Sequence, residues 1–142
     1  MSGLQAFFAQ HAKKVQPKKH VVSKRFVDEK GNPIPWEFVP ITAATDEKIR
    51  KECTNRVEVP GRKGVYMPEI DFDKYLLKVT VASIKYPDLN NAELQDSYGI
   101  QGAENLLQTM LLPGELAEAK RVAQEVNGFD VSFDDLVEEA KN

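Results

Sequence analysis

The spacing of apolar residues changes along the chain, and that change divides it. Near the amino end Leu4, Phe7, Phe8, His11 and Val15 fall at helical spacing, with Pro17 as a limit. An isolated helix so short is marginal in water, so residues 1–20 read as an arm. A short amphipathic helix and an unstructured terminus both fit it. Residues 21–41 read as a hairpin. Val21, Val22, Phe26 and Val27 favour an extended backbone with imperfect alternation, and Asp28 to Asn32 supply the turn, with Gly31 or Asn32 at positive φ. On the return limb Ile34, Trp36 and Phe38 share a face, while Pro33 and Pro35 place at least its start at an edge. Thr42 caps a thinly apolar helix to about Thr54. Residues 56–59 and 65–67 read as a second extended pair around the loop 60–64, and a basic disordered loop fits the same segment.

Helical periodicity takes over after residue 70. From Asp71 to Tyr86, Phe72, Tyr75, Leu76, Val79, Ala82, Ser83 and Tyr86 form one apolar face. Leu77, Val81 and Ile84 form a second. A helix apolar on two sides belongs at the centre of a domain, and Pro87 is expected to end this one. A turn at 91–98 stops at Gly99. The helix 102–111 turns Ala103, Leu106, Leu107, Met110 and Leu111 inward. The next begins near Pro113 and ends at the left-handed cap signal Asn127-Gly128. Ser132 caps a last helix with Phe133, Leu136, Val137 and Ala140 inside. The predicted fold class is therefore α+β: a small amino-terminal antiparallel β region, then a mainly helical carboxyl-terminal bundle. One domain spans 21–142, β-rich over 21–67 and helical over 71–142.

With 142 residues, 42% hydrophobic and 29% charged, the chain fits one globular domain plus an arm. Charge is segregated. Residues 1–64 hold 13 Lys or Arg against 7 acids, and residues 65–142 hold 6 against 15. Such a chain meets a partner of either sign or pairs its own halves. No run of apolar residues is long enough to span a membrane. The start, MSGLQAFFAQHAKK, lacks the basic n-region of a secretory signal, so a cytoplasmic protein with no membrane partner is expected.

Chemistry-bearing patterns are sparse. No glycine-rich phosphate loop occurs. His11 and His20 lack a regular metal-ligand companion, and exposed or partner-packed histidines fit them better than zinc ligands. Cys53, the single cysteine, reads as a buried structural residue. Asp71 and Asp73 read as a solvated pair, as do Asp134, Asp135, Glu138 and Glu139, which favour the first turns of a helix. No catalytic residue, metal ligand or cofactor is expected, and the chain does not read as an enzyme. Lys13, Lys14, Lys18, Lys19, Lys24, Arg25, Arg62 and Lys63 would contact phosphates if grouped in space. A small nucleic-acid-binding or regulatory protein of a mobile element is thus the alternative. A basic arm docking on an acidic protein uses the same charges, and nucleic acid is not the expected partner.

Several segments together carry a resemblance. They are VVSKRF at 21–26, GNPIPWEF at 31–38, YPDLNNAELQDSYGIQGAENLLQTMLLPGELAEA at 86–119, VNGFD at 126–130 and the ending DDLVEEAKN. In this ordered series the chain resembles the tail assembly chaperone family of contractile-tailed phages and of phage-like prophage elements in Gram-positive bacteria. The resemblance implies a non-enzymatic protein, absent from the finished virion, working in the cytoplasm of the bacterial host cell. Its implied client is the tape measure protein, held soluble until tail tube protein assembles around it. A translational frameshift yielding a longer form of the same chain is implied too, and self-association is left open. The family offers no catalytic residues to carry over. The partner-binding candidates rest on physics: Leu4, Phe7 and Phe8 on the arm, and Leu107, Met110, Leu111 and Leu112 around one bend. For the second cluster, core packing is the competing reading.

Overall fold

The computed structural model describes residues 3–129. The last predicted helix, capped by Ser132, lies outside the described residues. Trp36 and Phe38 are the buried pair around which the main sheet forms. They lie on β2 (Trp36–Phe38), the central strand of three, between β1 (Lys18–His20) and β5 (Ile84–Tyr86), all antiparallel.

Both neighbours of β2 correct the sequence reading. The predicted hairpin limb Val21–Val27 contributes one isolated bridge, Val27 to Pro33, and the strand that pairs with β2 begins at Lys18. Val22 and Ser23 are both buried, and two successive inward residues break the alternation a strand requires. Lys-Lys-His has little intrinsic strand preference. Its place comes from charge: Lys19 sits opposite Glu37 in register, 3.8 Å apart, and its neighbours reach acids on a helix described below. The predicted turn does form. Asp28 Oδ1 accepts from the Lys30 and Asn32 N–H groups at 2.9 Å, and Gly31 takes a φ of 83°. Strand β5 replaces the last turn of the predicted helix 71–86, because Pro87 forces Tyr86 to extend and Ile84 is β-branched.

The helices follow their caps. Thr42 accepts from the Thr45 N–H to open α1 (Ala43–Glu52), which buries only Ile49. Asp71 does the same for α2 (Phe72–Ser83) through the Lys74 N–H. As predicted, α2 is central, packing against α1, β5 and the two longer helices that follow. Its buried Thr80 and Ser83 hydroxyls donate to the carbonyls of Leu76 and Val79 four residues back, which satisfies them inside an apolar layer. A short α3 (Ala92–Ser97) and α4 (Ala103–Met110) come next. In α5 (Pro113–Val126), Glu115 reaches back to the Leu112 N–H at 2.8 Å. The helix ends as predicted: Gly128 is left-handed, with bonds from Gly128 N–H to Glu125 C=O and from Phe129 N–H to Gln124 C=O.

Two core clusters result. The larger joins Trp36, Phe38 and Ile84 to Leu106, Leu107 and Val122. The smaller holds Ile49, Cys53, Tyr75 and Val79, and burial there pushes the Cys53 thiol pKa up. The second predicted extended pair is present and longer than expected, as β3 (Thr54–Glu58) against β4 (Tyr66–Ile70). Among the described residues, this hairpin projects from the domain and only Ile70 at its base packs on a core cluster.

Candidate binding surface

Side chains of the basic amino segment strap it to one face of the acidic helix α5. Lys18 pairs with Glu125, His20 Nε2 lies 3.1 Å from Glu118, and Arg25 lies 2.6 Å from Glu115. Arg25 also donates to the Met110 carbonyl at 2.7 Å. The Arg25 guanidinium, then the Ser23 hydroxyl and the Leu112 N–H, hold the Glu115 carboxyl down to about 2. Arg121 lowers Glu118, and Lys18 lowers Glu125. The charge segregation seen in sequence is thus partly internal. Of the basic residues considered for phosphate contact, Lys18, Lys19 and Arg25 face carboxylates of this chain.

The candidate residues part company. Leu4 and Phe7 lie in a 3-10 turn, Gly3–Phe7, that buries nothing, and Phe7 is 81% exposed. Phe8 follows, also exposed. All three are on the surface, as a binding arm requires. Leu107, Met110 and Leu111 instead lie in the large core, and only Leu112 of that cluster is exposed. Four apolar residues at a bend do not make a wall here: all four residues of the α4 stripe Ala103, Leu106, Leu107 and Met110 are buried, and Leu111 is buried behind them.

Two apolar depressions were not anticipated. One lies between α1, α2 and the end of α5, lined by Phe72, Tyr75, Leu76, Val79 and Phe129, with a volume of about 130 Å³. Phe72, which fits the apolar face of α2 in sequence, lies in the first turn of that helix and is 58% exposed at the groove rim. The other lies at the end of the main sheet, where Ile34, Trp36, Tyr86, Leu94, Tyr98 and Met110 enclose about 170 Å³. Met110 thus touches a surface groove from below. Both fall short of the roughly 300 Å³ at which small-molecule pockets begin, and suit protruding apolar side chains. Arg50 rims the first, held by Asp46 at 3.0 Å and by the Tyr75 hydroxyl at 3.2 Å. Tyr75 in turn donates to Asp46, and burial with that bond pushes its hydroxyl pKa up.

A wider polar depression, about 360 Å³, lies where Asn55, Glu69, Asp71 and Asp73 meet. The Asp71 carboxylate there is engaged in capping α2. Among the described residues, no group of three or more His, Cys, Asp or Glu is placed to hold a metal ion. No described helix is long and apolar enough to cross a membrane.

These features define a small α+β protein that closes its core and still presents apolar surface on an arm, in two grooves and on a hairpin. The chain belongs to the Phage XkdN-like tail assembly chaperone protein (TAC) family, whose model matches residues 4–141. It is 36% identical over 122 residues to the protein XkdN of the phage-like element PBSX of Bacillus subtilis (strain 168), covering 85% of this chain and 81% of that one. It is 35% identical over 122 residues to the uncharacterized protein YqbN of the same organism, covering 85% and 80%. The crystal structure of YqbN matches this fold with a TM-score of 0.78 at 27% identity, over 92% of this chain and 99% of that one.

Proposed function

We propose that the protein is a holding chaperone of phage tail assembly whose client is the tape measure protein. It acts in the cytoplasm of the host cell, without catalysis, and yields the client to tail tube protein. A long helical client exposes apolar stripes until it is enclosed, and such stripes aggregate unless covered. The observation that carries this reading is the groove between α1, α2 and α5: an apolar floor with Phe72 and Phe129 exposed at its rim, of a size for a protruding apolar side chain of a client helix. The arm residues Leu4, Phe7 and Phe8 add a second apolar contact. The net charge of -3 supports solubility of the complex. A frameshifted longer form of the chain would carry the same binding surface.

Co-expression with a tape measure fragment tests this. The fragment should stay soluble with this chain and precipitate without it. Phe72→Asp should abolish the effect with the fold intact, and the pair Phe7→Asp with Phe8→Asp should weaken it. A fragment equally insoluble with and without the folded protein refutes the reading.

A further inference from the structure

Among the described residues, the β3–β4 hairpin leaves one strand edge open and blocks the other. At its base the Asp71 N–H donates to the Cys53 carbonyl at 2.7 Å, and at its tip the Val59 N–H donates to the Val65 carbonyl at 2.8 Å. Bonding alternates between these points, so Asn55 and Val57 bond toward β4. Arg56 and Glu58 therefore direct their backbone N–H and C=O groups outward. On the far side of the hairpin the outward residues are Tyr66, Pro68 and Ile70, and Pro68 has no N–H to offer. A two-stranded hairpin standing alone is marginal in water, and an open edge is a template for another strand.

We infer that β3 is a self-association edge, pairing antiparallel with β3 of a second copy across a two-fold axis at Val57. The side chains select this partner and this register. Only outward residues can exchange backbone bonds. A pairing centred on Arg56 sets two arginines face to face, and one centred on Glu58 sets two glutamates face to face. Centring on Asn55 places Thr54 opposite Arg56 and gains no ion pair. Centring on Val57 places Arg56 opposite Glu58 twice, once on each side of the axis, with both pairs in backbone-bonded positions. The same register brings Val57 against Val57. It extends the apolar face of Val57, Val59, Val65 and Met67 continuously across a four-stranded sheet. Val65 and Met67 are 46% and 44% exposed, so this face is already at the surface of one copy.

Sedimentation equilibrium on the full chain tests the proposal. The wild type should form a dimer. Glu58→Arg and Arg56→Glu should each weaken it roughly tenfold, by turning both attractive pairs repulsive. The double variant carrying both should restore it. Mild oxidation of Val57→Cys should give a covalent dimer, because facing residues at non-bonded positions approach within disulfide range. Met67→Cys, about 14 Å from its counterpart at three strand spacings, should not. Cys53 is fully buried and does not compete. The hairpin is outside the main core, so circular dichroism, and thermal melting at low concentration, should match the wild type in all five variants. A monomer at every attainable concentration overturns the inference. So does a dimer insensitive to both single charge reversals, a double variant that does not recover, or equal cross-linking at 67.

Discussion

The two sheets use the same pairing pattern under opposite conditions. The main sheet, β1–β2–β5, is built of three-residue strands too short to hold together alone. It is stable because Trp36 and Phe38 are covered by α4 and α5 and because the amino segment is clamped to α5 by charge. The β3–β4 hairpin has longer strands and full register yet buries almost nothing. Regular hydrogen bonding therefore does not mark where stability resides in this molecule; burial does.

The largest expected effect follows directly. Leu106, on α4, is fully buried in the larger core cluster with Trp36, Phe38 and Val122. Leu106→Ala should destabilise the protein by about 2–5 kcal/mol, read as a lower midpoint in urea unfolding. A loss under about 1 kcal/mol would mean that the helical layer collapses around the missing atoms, and that this core is not the close-packed half of the comparison.

Next comes Asn127, at the end of α5. Its Oδ1 accepts the Ile41 N–H at 2.8 Å, while its Nδ2 donates to the Ser83 hydroxyl at 2.9 Å and the Ala123 carbonyl at 2.8 Å. One side chain thus ties the link after β2, the end of α2 and the end of α5. Asn127→Ala should cost about 1–3 kcal/mol through the partners it leaves unsatisfied, again by urea unfolding. An effect near zero would show that water replaces all three bonds.

These two residues also mark how far the sequence is legible. Leu106 stands out at once, because a helix buried on one side repeats its apolar residues at three and four, and so do α2 and α5. Asn127 is legible only as a cap beside Gly128; its bonds to Ile41 and Ser83 join segments 86 and 44 residues away. Strands β1 and β5 are invisible to periodicity for a related reason. Three residues hold no measurable period; β1 is placed by Glu37, Glu118 and Glu125 elsewhere in the chain, and β5 by burial of Ile84 in the large core. Of the candidate surface, the arm was legible because apolar residues beside lysines and a proline have no local core to join. The grooves at Phe72 and Tyr86 were not, since both residues fit the periodic face of a helix. Only the tertiary arrangement leaves them uncovered.

A smaller effect separates charge from packing within the main sheet. Glu115 sits at about 2 in the folded protein, and Glu118 and Glu125 are lowered as well. A carboxyl lowered on folding adds stability that is complete above its unfolded value, near 4.5 for Glu115, and is lost as pH falls through its folded value. Melting temperature should therefore hold near neutrality and decline from about pH 4.5 toward pH 2. Glu115→Gln should lower it modestly at pH 7 and shrink the decline on acidification. An unchanged acid profile in that variant would show that Arg25 holds the amino segment through the Met110 carbonyl alone.

The smallest effect sharpens the comparison from the hairpin side. Val65→Ser with Met67→Ser removes two apolar side chains that are about half exposed on the sheet face of the hairpin. Surface changes of this kind fall within about 0.5 kcal/mol, and the urea midpoint of the isolated chain at low concentration should not move beyond that. The same pair at high concentration is the informative contrast. If the hairpin's apolar face is covered only when another molecule is present, stability at low concentration stays put while any concentration-dependent gain in melting temperature falls. A large loss at low concentration would instead mean that Val65 and Met67 already pack within a single copy, and that the hairpin shares the buried character of the main sheet.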